Sequence, residues 1–270
     1  MLENVNHTFA VCAYKESDYL EECVQSLLAQ TVKSKIFIST STPNEHISAI
    51  AQKYNLPVFV NHGEAGITGD WNFAVSNANT KYVTIAHQDD TYDPAYAEEI
   101  IKKMEKAKKP IIAFSEYFEI RNAQRVYKNK LLRIKRLMNF GFRISKKSRF
   151  IRRRVLSLGC SICCPAVTYN AEVFADFKFD KQFKFTCDWD AWERLSKRKG
   201  SFLYIKRALM GHRIHEESAT TEITQSGRRF TEEYTMLRRF WPAFIAKMYA
   251  KPYAKAADSN DLEKNKNGKK

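Results

Sequence analysis

The stretch Tyr82-Val83-Thr84-Ile85-Ala86-His87-Gln88-Asp89-Asp90 is an apolar strand that stops on two adjacent carboxylates. A buried strand of an α/β sheet delivers its last residues to the carboxyl edge, where ligands bind. Two neighbouring acids there repel each other and stay ionised beside a positive partner, and a divalent cation is the usual one. A plainer reading stands next to this: Asp90 or Asp93, ahead of Pro94, starts the helix that follows.

The flanking sequence supplies the sheet. Short apolar runs alternate with amphipathic stretches, the pattern of an α/β fold with a mainly parallel, Rossmann-like sheet and helices on both faces. Strands are predicted at Thr8–Tyr14, Lys35–Ser39, Leu56–Val60, Lys81–Ala86 and Pro110–Ser115. The first helix is capped by Ser17 and carries Leu20, Cys23, Val24, Leu27 and Leu28 at helical spacing; others follow at Pro43–Tyr54, Thr68–Ala78 and Pro94–Ala107. Later come a strand at Pro165–Tyr169, a helix at Asp188–Lys199 and a strand at Ser201–Ile205. Residues 207–227 read as a loop over the sheet edge, Arg228 to about Ala254 as aromatic-rich amphipathic helix, and Asp258–Lys270 as a disordered polar tail.

The net charge of +15 is concentrated. Fourteen lysines and arginines, and no acid, lie between Arg121 and Arg154, while the last twenty residues carry +3 and the rest of the chain −2. Basicity therefore marks a docking surface rather than the whole fold. Tyr127, Leu131, Ile134 and Met138 share a helical face flanked by Lys128, Lys130, Arg133, Lys135 and Arg136, the pattern of a helix lying on an anionic membrane. Phe240 to Tyr249 has the aromatic-plus-lysine mix of an interfacial anchor. The bland alternative is a solvated charged face packed by its apolar side on the domain. No apolar run reaches the roughly 18 residues of a membrane span, and Met1 to Asn6 lack the basic and apolar regions of a secretory signal. Six cysteines, mostly in apolar surroundings, suit a reducing compartment, so the expected location is the cytoplasm, at the inner face of the cell membrane. Cys160 and Cys163 with His212 and His215 offer four zinc ligands by type, but a single C-x-x-C is a weak signal.

Five pieces occur in order: Val11-Cys12-Ala13-Tyr14-Lys15-Glu16, Ser39-Thr40-Ser41-Thr42, Gly66-Ile67-Thr68-Gly69-Asp70-Trp71-Asn72, His87-Gln88-Asp89-Asp90, and Cys187-Asp188-Trp189-Asp190-Ala191-Trp192-Glu193-Arg194-Leu195. Together they resemble a family 2 glycosyltransferase of the GT-A fold, nucleotide-sugar dependent and of the bacterial polysaccharide type, from about Thr8 to Thr220. The fourth piece resembles D-x-D-D with His87 for the first acid, and the last resembles E-D-x-D-L-x-x-R-L with Cys187 for the glutamate. Gly211-His212-Arg213-Ile214-His215 resembles the family's closing R-x-H element.

The resemblance implies roles. Ala13, Tyr14, Glu16, Ser39, Ser41, Gly66, Asp70, Asn72, His87, Gln88 and Asp89 would bind the donor, a UDP-sugar first among the possibilities. Asp89, Asp90 and His215 would hold Mn²⁺ or Mg²⁺, which neutralises a diphosphate leaving group. Asp188 would be the base for an acceptor hydroxyl, in an inverting transfer to a saccharide that is lipid-linked and destined for cell-surface polysaccharide. Arg133, Lys135, Arg136, Arg152, Arg153 and Arg154 would meet the membrane or the acceptor. The organisation expected is a donor-binding half over 1–120, the basic insertion over 121–157, an acceptor half over 158–227, C-terminal helices over 228–256 and a tail over 257–270. Two other readings stay open. A nucleic-acid or polyanion binder using the 121–154 arm explains the charge but leaves Asp89, Asp90 and Asp188 idle, and no recognised nucleic-acid motif is present. A catalytically degenerate scaffold would explain His87 and Cys187.

Overall fold

The computed structural model describes residues 4–215 and 228–257. The first half alternates as the apolar pattern requires: β1 (Asn4–Ala13), α1 (Leu20–Leu28), β2 (Lys33–Thr40), α2 (Glu45–Lys53), β3 (Val58–Val60), α3 (Ile67–Ser76), β4 (Tyr82–His87), β5 (Thr91–Tyr92), α4 (Tyr96–Glu105) and β6 (Pro110–Arg121). There follow β7 (Gln124–Val126), α5 (Lys130–Ile144), α6 (Arg149–Leu156), β8 (Val167–Asn170), α7 (Cys187–Ser196), β9 (Ser201–Ile214), α8 (Arg228–Arg238) and α9 (Ala243–Ala257). The strands form one sheet in the order β3-β2-β1-β4-β8-β6-β9-β5, with β7 paired to β6. β1 to β4 are parallel, β8 runs antiparallel to both β4 and β6, and β9 runs parallel to β6. Strand order reverses between β1 and β4, so the crevice beyond their carboxyl ends is the topological switch point.

Alternation along the strands divides the core between the two faces of the sheet. Phe9, Val11, Tyr82 and Ala86 pack with Cys23, Leu27, Ile50, Tyr96 and Ile100 of α1, α2 and α4. Ala10, Val83 and Ile85 pack with Trp71 and Ala74 of α3, Trp189 and Trp192 of α7, and Met236 and Leu237 of α8. The C-terminal helices are thus part of the core.

Several expectations change. The first helix begins at Leu20 with Tyr19 at its cap position and no side-chain cap; the Ser17 hydroxyl accepts from the Tyr19 amide (3.3 Å) and donates to Asp89 (3.1 Å), and Leu28 is exposed. The strand predicted to end at Ser115 continues to Arg121, since Glu116 and Glu119 are buried against Arg136 and Arg121. Residues 207–214 are strand, not loop: β9 bulges at the exposed pair Lys206-Arg207, where the register slips from Ser115↔Ile205 to Glu116↔Ala208, and then resumes. Residues 216–227 of that predicted loop and the Asp258–Lys270 tail lie outside the described residues. α5 buries Leu132, Asn139 and Phe142 rather than the predicted face, because Asn139 finds Ser161 and Lys135 finds Tyr117.

Candidate active site

The switch-point crevice opens where β1 and β4 end. Gln88 clasps the turn after β1: the Tyr14 amide donates to its Oε1 (2.9 Å) and its Nε2 donates to the Tyr14 carbonyl (3.0 Å). Lys15 follows with φ of 55° and donates its amide to Thr42 Oγ1 (2.6 Å), so the first and second loops are tied together. Ala13 and Ser39 are buried at the strand ends, while Tyr14 and Glu16 stay exposed. Ser41 donates to Asp70 Oδ2 (3.0 Å) and Asn61 donates to Asp70 Oδ1 (2.8 Å), joining the second loop to the start of α3. Gly66 enters that helix at φ 104°, and a Cβ on Gly69 would come within 2.0 Å of the Glu64 carbonyl oxygen, so this loop needs both glycines. The Asn72 amide bonds the Phe179 backbone twice (3.0 and 2.8 Å) and laces α3 to that loop.

At the end of β4 the two adjacent carboxylates take different partners. Asp89 accepts from Ser17 and lies 3.4 Å from His215 Nε2. Asp90 is buried; its Oδ1 accepts from His212 Nδ1 (3.0 Å) and the Arg213 amide (2.9 Å). Burial works against both charges of that pair, yet each partner sustains the other: Asp90 is held below the usual carboxylate range and His212 above the usual imidazole range. Through Oδ1, Asp90 anchors β9 behind the end of β4, while its Oδ2 is buried with no hydrogen-bond partner among the described residues. Arg213, which sequence reasoning left without a role inside R-x-H, donates to the Asp89 carbonyl (2.9 Å), pairs with Glu22 and stacks on Tyr19.

His87 stands where the family pattern has an acid. Its ring stacks on Trp71 (centroids 5.4 Å apart, 23° between planes), its Nδ1 lies 3.9 Å from Asp90 Oδ2, and burial lowers its pKa. Among the described residues no group of three His, Cys, Asp or Glu side chains could close around a metal ion. That also disposes of the four-ligand zinc site, since Cys160 bonds Asp188, His212 bonds Asp90 and His215 lies by Asp89. Asp89 with His215 is a two-ligand set, and it fits a hard divalent cation that draws its other ligands from phosphate and water.

Asp188 sits in the first turn of α7, half-buried. Its Oδ1 accepts from the Trp189 amide (2.7 Å) and its Oδ2 from the Cys160 thiol (3.3 Å). Burial lifts its pKa above the ordinary carboxylate value, with the Trp189 amide, the Cys160 thiol and the charge of Lys135 pulling the other way. The Cys163 thiol is pushed up, chiefly by burial, with the charges of Asp90 and Asp188 adding to the effect. Two supports of α7 left no sequence signal. Glu232 of α8 accepts from the amides of Lys184, Phe185 and Thr186 (2.8–3.2 Å), and Arg239 pairs with Asp190 (2.6 Å).

The basic segment is less free than its charge count implies. Arg152 is fully buried and donates to the carbonyls of Ser196, Arg198 and Gly200 at the end of α7, which removes it from the surface role expected of it. Arg153 pairs with Glu193, and Arg136 with Glu116 (2.9 Å). Arg133 and Arg154 remain exposed, Arg154 over the rings of Phe150 and Trp241. Ile134, Leu137, Phe140, Ile144 and Phe150 are exposed among them.

Comparison with known proteins places this architecture. The profile of Glycosyl transferase family 2 matches residues 8–175. An uncharacterized glycosyltransferase of Rickettsia typhi is 25% identical over 249 residues, covering 87% of this chain and 70% of that protein. The glycosyltransferase GlyA of Streptococcus pneumoniae is 20% identical, covering 83% of this chain and 33% of its own length. Among solved structures, S. aureus TarS 1–349 in complex with UDP-GlcNAc superposes with a TM-score of 0.63 at 12% identity, covering 94% of this chain and 72% of that one. The mannosyltransferase PcManGT from Pyrobaculum calidifontis, in complex with GDP-Man and Mn²⁺, gives 0.64 at 12% identity, covering 94% and 74%. The protein has the GT-A fold, belongs to glycosyl transferase family 2, and is an enzyme that transfers sugars.

Proposed function

We propose that the protein moves a sugar, with inversion, from a nucleotide-sugar (a UDP-sugar first) to a lipid-linked saccharide at the inner, anionic face of a membrane, in cell-surface polysaccharide synthesis. The observations that carry this reading are Asp89 beside His215 at the end of β4, and Asp188 in the first turn of α7 with its pKa lifted by burial. A carboxylate lifted in this way is suited to take a proton. Asp89 and His215 would hold Mn²⁺ or Mg²⁺, and the bound cation neutralises a diphosphate leaving group. The donor would lie along Ala13–Glu16 and the 39–42 loop, against the Tyr14 turn that Gln88 fixes. The complexes of TarS with UDP-GlcNAc and of PcManGT with GDP-Man and Mn²⁺ support the donor class and the cation.

Asp188 takes the proton of the acceptor hydroxyl as that oxygen attacks the anomeric carbon. One base and one direct displacement leave no covalent intermediate, hence inversion. Asp188→Asn should lower transfer by about 10²–10⁴ while UDP still binds with Mn²⁺, because the base acts on the acceptor. Calorimetry of UDP with Mn²⁺ and turnover of a UDP-sugar over lipid extract check both halves. Near-normal transfer by the variant would exclude Asp188 as the base; tight binding of another nucleotide with none of UDP would overturn the donor.

Exposed Ile134, Leu137, Phe140, Ile144 and Phe150 beside Arg133, Arg143, Lys146 and Lys147 support the membrane half of the reading. Among the described residues no helix is long and apolar enough to cross a membrane, so this contact would be peripheral.

A further inference from the structure

Between the donor loop and α1 the chain reaches back to the end of β4. The Ser17 hydroxyl accepts from the Tyr19 amide (3.3 Å) and donates to Asp89 (3.1 Å), and the Ser17 carbonyl accepts from His46 Nε2 (3.0 Å). Two residues on, the half-buried Tyr19 ring meets two groups from the end of β9. The Arg213 guanidinium lies 4.2 Å from the ring centre, and the His215 ring packs against Tyr19 at 5.1 Å between centroids, tilted by 59°. Arg213 is buried and tied down: its amide donates to Asp90 Oδ1 (2.9 Å), its Nε to the Asp89 carbonyl (2.9 Å), and its Nη2 pairs with Glu22. The Tyr19 ring therefore meets a cation fixed to the same strand end that carries Asp89.

β9 ends at Ile214, so His215 is the first residue whose backbone the ladder does not register. Its Nε2 nevertheless stands 3.4 Å from Asp89 Oδ2. A metal-binding imidazole works only at the right ring angle, and the groups around it set that angle. An aromatic ring under a fixed guanidinium is such a group, because the cation holds the ring's own orientation. We infer that Tyr19 is a positioning residue for the Asp89–His215 pair: its ring, fixed by Arg213, holds the His215 imidazole where Nε2 and Asp89 share one ion. The inference rests on the assignment of Asp89 and His215 to Mn²⁺ or Mg²⁺ above, and adds to it a residue that would touch neither ion nor sugar.

Substitution at Tyr19 leaves α1 its bonds, because the side chain caps nothing and the residue donates and accepts through its main chain. The test titrates Mn²⁺ into the full chain with UDP and reads bound ion by electron paramagnetic resonance. Tyr19→Leu should weaken Mn²⁺ binding by about 10–100-fold, the loss typical of a group that orients a metal ligand. Tyr19→Phe, which keeps the ring, should bind as the wild type does. Tyr19→Ser, which places a favoured capping residue at the start of α1, should show the same loss and serves if the leucine variant does not fold. In a His215→Ala background Tyr19→Leu should cost nothing further, since the imidazole it orients is gone. Wild-type Mn²⁺ affinity in Tyr19→Leu, failure of Tyr19→Phe to restore it, or a full additive loss in the double variant would overturn the positioning role. Unchanged Mn²⁺ affinity in His215→Ala, or no Mn²⁺ binding by the wild type with UDP, would instead bring down the cation assignment itself.

Discussion

At Asp188 burial and hydrogen bonding oppose each other. Burial raises the pKa, whereas the Cys160 thiol, donating to Oδ2, stabilises the ionised form. A base works only when ionised, so activity should fall as pH drops through the pKa of Asp188. Cys160→Ala removes a bond that favours the carboxylate, and the acid limb of kcat should therefore move to higher pH; Cys160→Ser should leave it near the wild-type position. An unmoved limb in the alanine variant would mean that the thiol does not set this pKa. Asp188, Asp89 and Asp90 stood out in the sequence as acids at a strand end and a helix start, where helix capping is the ordinary alternative. Cys160 did not, since its partner is a residue 28 positions away that only the fold brings near. His87 was visible as a departure, but its stacking on Trp71 was not.

α7 is held at both ends by other elements. Glu232 of α8 gathers the amides of Lys184, Phe185 and Thr186 ahead of it, and Arg152 of α6 gathers the carbonyls at its far end. Removing a buried partner costs about 1–3 kcal/mol for each group left unpaired. Glu232→Ala should thus lower the melting temperature by several degrees, and it should reduce transfer far more than UDP affinity, because the segment it fixes carries Asp188 and none of the donor loops. Differential scanning calorimetry and UDP titration measure the two effects. Most helices and the parallel strands were readable from periodicity. The second halves of β6 and β9 were not, because Glu116, Glu119, Lys206 and Arg207 interrupt the apolar pattern, and the ion pairs and the bulge explain how the strands tolerate them.

Over the whole molecule, the fourteen cations of residues 121–154 divide between internal and external duties. Lys135, Arg136, Arg152 and Arg153 have partners inside, so charge reversal at Arg152 tests folding rather than docking. The surface claim falls to Leu137, Ile144 and Phe150, the most exposed large apolar side chains of α5 and α6. Co-sedimentation with liposomes should require anionic lipid and weaken as salt shortens the Debye length. Leu137→Asp with Phe150→Asp should abolish it with little change in melting temperature. Binding to RNA in a gel shift, with no binding to anionic liposomes at low salt, would reassign the surface to nucleic acid.

The position of β6 also dictates an order of events during synthesis. Its central and last residues, Ser115 to Arg121, pair mainly with β9, while β8 covers only Ile112 to Phe114. About ninety residues separate the end of β6 from the end of β9. At ~5–20 residues per second the ribosome takes roughly 5–20 s to supply them. For that interval an apolar strand, Pro110-Ile111-Ile112-Ala113-Phe114 onward, waits with an open edge of the kind that draws nascent chains into aggregates. The next segment to emerge is the densest block of like charge in the protein, and flanking charge is what keeps such strands apart. Like charge in that stretch would hold such strands apart until β9 arrives.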